Sequence, residues 1–102
     1  MTKRKRCKSN KITRSANGED CTLNVAQVCN YNPETTVFCH LDSELKGMAL
    51  KSPDHFGVYG CSECHAWLDQ HRGSEVDRLF YSLRGLLRTH ERLIDLGLLV
   101  VA

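Results

Sequence analysis

Cys61-Ser62-Glu63-Cys64-His65 sets two thiols either side of a two-residue gap, a spacing that lets both sulfurs face one ion. Cys21 and Cys29, well upstream, can supply the other two ligands of a tetrahedral zinc site. His65 follows the second cysteine directly and cannot easily turn to the same ion, so it is available for another task. His40 lies between the two cysteine pairs. A closed structural zinc with two imidazoles nearby points to metal-assisted chemistry.

Each of these residues has a plainer reading. Seven residues separate Cys21 from Cys29, more than the usual two to four, so a small loop over 24–28 must bulge between them. Cys39 competes as a ligand but reads more simply as a small buried hydrophobe in a strand, and Cys7 lies in a basic arm. The literal C-x-x-C-H is also a haem-attachment pattern, which requires export and would leave Cys21 and Cys29 without a purpose. His40 taken alone is a strand-end histidine bonded into the fold. Its place between the cysteine pairs, just ahead of a polar loop, favours a general base, because an imidazole titrates near neutral pH and can take a proton from water. His65, on the first turn of a zinc-anchored helix, can ligate a second cation. Asp69 follows it by four residues, on the same helix face, and Asp54, His55 and His71 are further candidates. His90 reads as a core-edge residue and Trp67 as packing for a small core.

At 102 residues the chain fits one domain near the lower limit for an unaided core, where a metal staple is common. The net charge of +2 conceals an asymmetry. Residues 1–14 hold Lys3, Arg4, Lys5, Arg6, Lys8, Lys11 and Arg14 with no acid, whereas the remainder is net acidic. A basic arm on an acidic body adds phosphate contacts to a small nucleic-acid-binding domain, or else acts as a solubilising tail. The reading is therefore a basic flexible arm over 1–13 and a single zinc-binding domain over 14–102. No apolar run reaches the ~18 residues of a membrane span, and no apolar segment follows the basic start to make a secretory signal. A cytoplasmic location is expected, where thiols stay reduced and clustered cysteines favour metal over disulfide.

These residues need elements to position them. Residues 11–17 suit a short helix running into Asn17-Gly18, and Cys21 to Val25 alternates as a strand does. Asn30-Tyr31-Asn32-Pro33 signals a turn. Thr35 to His40 is β-branched and aromatic, a strand that delivers His40 at its end. Residues 41–53 read as a loop and Phe56 to Tyr59 as a short strand. The C-x-x-C opens a helix from Ser62 to about His71, ended by Gly73. Ser74 caps a second helix whose Val76, Leu79, Phe80, Leu83, Leu86, Leu87, Leu93 and Ile94 repeat with the period of one buried face. Gly97 ends it, and Leu98 to Val101 form an apolar tail that must pack. One ligand pair near a hairpin and one at a helix N-terminus is the treble-clef arrangement, in which helix-end N–H groups stabilise thiolates.

The stretches CTLNVAQVCNYNPETTVFCHL and CSECHAWLDQH together resemble the YbcO-like prophage proteins, small HNH-type nucleases of lambdoid phages. The resemblance rests on the C-x7-C spacing, the Asn-Pro-Glu-Thr-Thr segment, the histidine two residues beyond Phe38 and the CSxCH box. It runs from about Arg14 to the end, more loosely after His71. It implies an α+β fold of the treble-clef or ββα-metal (HNH-like) kind, with Cys21, Cys29, Cys61 and Cys64 on a structural Zn²⁺ and a long C-terminal helix. It further implies hydrolysis of phosphodiester bonds in DNA within the bacterial host cell, with His40 activating water and His65 binding Mg²⁺ or another divalent cation. The chain departs from the HNH pattern in having Cys39 before the base, where Asp or His is common. It also has no clear middle Asn, for which Asp54 is the nearest polar counterpart. The alternative is a non-catalytic zinc module that binds nucleic acid or protein.

Overall fold

The β-branched and aromatic run ahead of His40 forms strand β1, Val37–His40, which pairs antiparallel with β2, Gly57–Gly60. The register sets Val37 opposite Gly60, Phe38 opposite Tyr59, Cys39 opposite Val58 and His40 opposite Gly57. This computed structural model describes residues 10–41 and 54–101, so the arm over 1–9 and the loop over 42–53 lie outside the described residues. Ahead of β1, Asn32 caps a 3₁₀ turn at Pro33–Thr35, accepting from the Glu34 amide at 3.1 Å. All four residues of β2 are buried, because the segment that follows Cys21 and a long helix both pack against it.

Three helices complete the element order. The first, α1, spans Asn10–Arg14, and buries Ile12 with Ala16, Tyr59 and Leu93. Its end is tied to the sheet by a 2.7 Å hydrogen bond between Ser15 Oγ and the Tyr59 hydroxyl. The second, α2, spans Ser62–Asp69, with Cys61 as N-cap. Between α2 and α3, His71 and Gly73 take left-handed backbone conformations. The Arg78 Nη1 group donates to the His71 and Gly73 carbonyls at 2.9 and 2.8 Å, closing the turn. The third, α3, spans Glu75–Asp95 and opens as expected on Ser74, whose Oγ accepts from the Asp77 amide at 3.0 Å. It ends at Gly97 with a Leu98 N–H to Leu93 carbonyl bond of 2.9 Å, the signature of a left-handed helix stop. Among the described residues no helix is long and apolar enough to cross a membrane.

Two expectations from the sequence are corrected. Cys21 to Val25 is not a strand: Asn24 is left-handed, and the Thr22 and Leu23 amides both donate to the Tyr59 carbonyl. The backbone there folds into a knuckle that turns Leu23 and Val25 into the core with Val58 and Trp67. Of the apolar face expected to be buried on α3, Leu93 is buried and Leu86 packs against the core, but the rest is exposed. Val76, Leu79, Phe80, Leu83 and Leu87 are 55–74% exposed, whereas the face against the sheet consists of Gly85, Thr89 and Leu93. Small residues stand at Gly85 and Thr89 because α3 lies close against Val58 and the Tyr59 amide of β2 and against the Thr22 backbone. A Cβ at Gly85 would stand 3.0 Å from Val58 Cγ1, and Thr89 Oγ1 bonds Thr22 Oγ1 at 2.7 Å. The apolar tail is also split, with Leu98 and Leu99 packed against the α1 core and Val100 and Val101 exposed.

That close crossing gives a direct test. Gly85→Leu is expected to lower stability by about 1–3 kcal/mol through overpacking. The helix-propensity gain of ~1 kcal/mol offsets only part of this. Urea unfolding of the metal-loaded protein would measure the difference, and an unchanged midpoint would rule out the tight contact.

Candidate metal centre and histidine cleft

The knuckle and the start of α2 converge on four sulfurs. The Sγ atoms of Cys21, Cys29, Cys61 and Cys64 all lie within 4.8 Å of one another, and those of Cys29 and Cys61 are 3.8 Å apart. A tetrahedron with zinc–sulfur bonds near 2.3 Å has sulfur–sulfur edges of about 3.8 Å, so the cluster has the size of a closed zinc site. The wide Cys21–Cys29 spacing is absorbed by left-handed residues at Asn24 and Gln27, with the Cys29 amide bonded to the Val25 carbonyl at 3.0 Å.

Backbone amides surround the sulfurs as they do thiolates. The Asn24 amide donates to Cys21 at 3.3 Å, Val25 to Cys64 at 3.4 Å, Asn30 to Cys61 at 3.5 Å and Cys64 to Cys61 at 3.4 Å. Cys61 and Cys64 sit at the α2 N-terminus, whose dipole favours negative charge. Without a cation Cys21, Cys29 and Cys64 do not all ionise. The Cys64 side chain hydrogen-bonds Cys21 and holds it down at about 5, and the same bond pushes Cys64 up. Burial raises Cys29 to about 11. A divalent ion held by the four sulfurs would resolve this conflict by displacing their protons. Cys39 is not in the cluster. It is buried in β1 with its thiol turned to the Val37 carbonyl, and burial raises it to about 12, so it behaves as the small hydrophobe that its strand position implied.

Behind the sulfurs a cleft of about 720 Å³ opens between β1, α2 and the first half of α3. His40 reaches it from the end of β1 and His65 from the first turn of α2, so residues separated by a loop and a strand line one space. His40 Nε2 lies 2.9 Å from Asp54 Oδ1, with the imidazole 43% and the carboxylate 10% exposed. A carboxylate only accepts, so the proton resides on Nε2 and Nδ1 is the basic nitrogen of the ring. The Phe38 ring meets the imidazole edge-on at 5.1 Å and holds its orientation. His65 Nε2 and Asp69 Oδ2 are 3.9 Å apart on the exposed face of α2.

The other histidines divide between two places. His71 lines the cleft, whereas His55 and His90 meet outside it, with His90 Nε2 2.7 Å from the His55 carbonyl oxygen. Burial lowers the pKa of His55, and His90 beside it acts in the same direction. Sequence reasoning missed Glu75 and Arg78, which extend the cleft along α3. Nothing in their spacing marks them, since they enter the site only because α3 folds back past α2. Trp67 is a packing residue, buried and edge-on to Tyr81 at 5.8 Å.

A family model described as "Putative nuclease YbcO" matches residues 10–98. The chain is 35% identical over 82 residues to a protein of that name from Escherichia coli K12 and to one from Enterobacteria phage 82. Each alignment covers 76% of this chain and 84% of the relative. A solved structure titled as a putative bacteriophage protein from Escherichia coli K-12 superposes with a TM-score of 0.69 at 29% identity. The superposition covers 83% of this chain and 98% of that one.

Proposed function

The chain belongs to the YbcO family, and from that premise we propose that it is a metal-dependent nuclease that hydrolyses phosphodiester bonds in DNA. The reading is of an HNH-like ββα-metal domain in which Cys21, Cys29, Cys61 and Cys64 hold a structural Zn²⁺. The supporting observation is the meeting of His40, paired with Asp54, and His65, paired with Asp69, in one cleft.

His40 is the general base. Asp54 fixes the tautomer by accepting from Nε2, so Nδ1 takes a proton from water as the oxygen attacks phosphorus. His65 and Asp69 are the ligands for a catalytic cation. Their 3.9 Å separation is within the span of two donors each about 2.1 Å from one ion. Asp54 is committed to His40, which leaves Asp69 as the carboxylate ligand. A divalent cation bound there stabilises charge on the phosphate and the leaving oxygen. Lys3, Arg4, Lys5, Arg6 and Lys8 of the arm add phosphate contacts, and the protein acts in the cytoplasm of the bacterial host.

One observation favours a non-catalytic zinc module instead. Cys39 occupies the position next to the base and is buried as a neutral thiol, so it adds no cation ligand. A plasmid-nicking assay with Mg²⁺, Mn²⁺ and Ni²⁺ separates the two readings. The wild type is expected to nick, and His65→Ala to require roughly tenfold or more added cation for half-maximal rate, the usual scale for a lost metal-site partner. Absence of cleavage of any nucleic acid with all three cations would leave the binding module as the better account.

A further inference from the structure

We infer that the outward face of α3 is a self-association surface, on which a second copy of this chain packs antiparallel. A helix advances by about 100° per residue, so Val76, Leu79, Phe80, Leu83 and Leu87 form one stripe, while Gly85 and Thr89 lie on the opposite side. The fold uses the small side for β2 and leaves the apolar side uncovered among the described residues. These five residues therefore make no contribution to the core, which α3 joins through Leu86 and Leu93.

The stripe has the area and the rigidity of an interface. At 55–74% exposure, its five residues offer on the order of 100 Å² each, roughly 1,000 Å² for a pair of copies, which is what a specific contact has to bury. Phe80 at its centre is already ordered. It stands edge-on to Tyr81 at 5.2 Å and lies 5.4 Å under the Arg84 guanidinium, which is itself bonded to the Leu23 and Asn24 carbonyls at 3.1 Å. A pre-ordered aromatic with small entropy left to lose is the usual centre of a binding hot spot.

Charge selects a second copy and the antiparallel direction. With a two-fold axis between Tyr81 and Ser82, Val76 falls level with Leu87 of the second copy and Phe80 level with its Leu83. In an antiparallel pair each flank of the stripe faces the same flank of the other helix. Asp77, Arg84 and Arg88 share one flank, so Asp77 comes between Arg84 and Arg88 of the second copy, twice by symmetry. A parallel pair would not bring these charges together. On the other flank lie Glu75 and Ser82, which line the cleft together with Leu79 and Leu83 of the stripe itself, so the second copy stands at the edge of the cleft and both clefts of the pair open on one side. Residues 1–9 carry five basic side chains and little apolar surface, and do not match the stripe.

Sedimentation velocity on the full chain with zinc tests this. At roughly 100 μM, a concentration suited to an interface at the small end of the specific range, the wild type is expected to sediment as twice its 11.6 kDa mass. Leu83→Glu should sediment as a monomer with unchanged circular dichroism and zinc content. Asp77→Arg and Arg88→Asp should each weaken the dimer, and the double charge swap should restore it at least tenfold relative to either single variant. A wild type that stays monomeric at that concentration overturns the proposal. So does a Leu83→Glu protein that dimerises as well as the wild type, or a charge swap that restores nothing. None of these readouts depends on nuclease activity.

Discussion

Cys61→Ser is expected to leave the domain unfolded at neutral pH, and a strong zinc chelator to do the same to the wild type. Cys61 is fully buried, caps α2, accepts from the Cys64 and Asn30 amides and lies 3.8 Å from the Cys29 sulfur. Losing it breaks the metal site, the helix start and the tie to the knuckle together. Structural zinc supplies apparent binding free energy of about 10–16 kcal/mol in small domains, more than a chain of this size stores in its core. Loss of the helical circular dichroism signal in step with zinc release is the expected result. A folded, metal-free Cys61→Ser protein would mean that the sulfur cluster is not structural.

The same site has a pH signature with a definite sign. Without metal the chain is expected to unfold, and thiols of an unfolded chain titrate at about 8.5, so the ligand cysteines carry protons at neutral pH. Zinc must expel those protons, so its affinity increases as pH rises, by roughly tenfold per unit for each proton released. Chelator competition at two or three pH values near neutrality measures that slope. A flat profile would exclude thiols as the displaced species.

How much of this was legible beforehand follows from which interactions are local. Cys61 and Cys64 were readable because one helical turn brings them together, and Ser74 because a cap needs only its own first turn. The His40 position was readable because a β-branched run names a strand and its end. The partner of His40 was not. Asp54 is fourteen residues away, and only the pairing of β1 with β2 brings it to 2.9 Å. The burial of α3 was misread for a physical reason. Periodicity tells which face is apolar, not what that face meets, and the approach of Gly85 to Val58 turned the other side inward. The knuckle at Cys21 looked like a strand because alternation of Leu23 and Val25 is equally the pattern of a loop that buries two side chains around a left-handed Asn24.

On the nuclease reading, His40→Ala reduces divalent-dependent nicking by about 10²–10⁴-fold, the scale of a lost general base. Zinc content should not change, because His40 lies outside the sulfur cluster and its ring is 43% exposed. Some stability should be lost, since the mostly buried Asp54 carboxylate loses a hydrogen bond worth about 1–3 kcal/mol. His40→Gln separates the two effects. An amide can still donate to Asp54, which preserves the fold, yet it has no basic nitrogen for water. It should be as inactive as the alanine variant and more stable. Asp54→Asn should retain more activity than either, because the imidazole remains and only its tautomer and orientation are less well held. Nicking rates and melting temperatures of the three proteins, each loaded with zinc, form the measurement. Wild-type cleavage by His40→Gln would remove His40 as the base, whereas equal activity of Asp54→Asn and wild type would remove Asp54 as the residue that positions it.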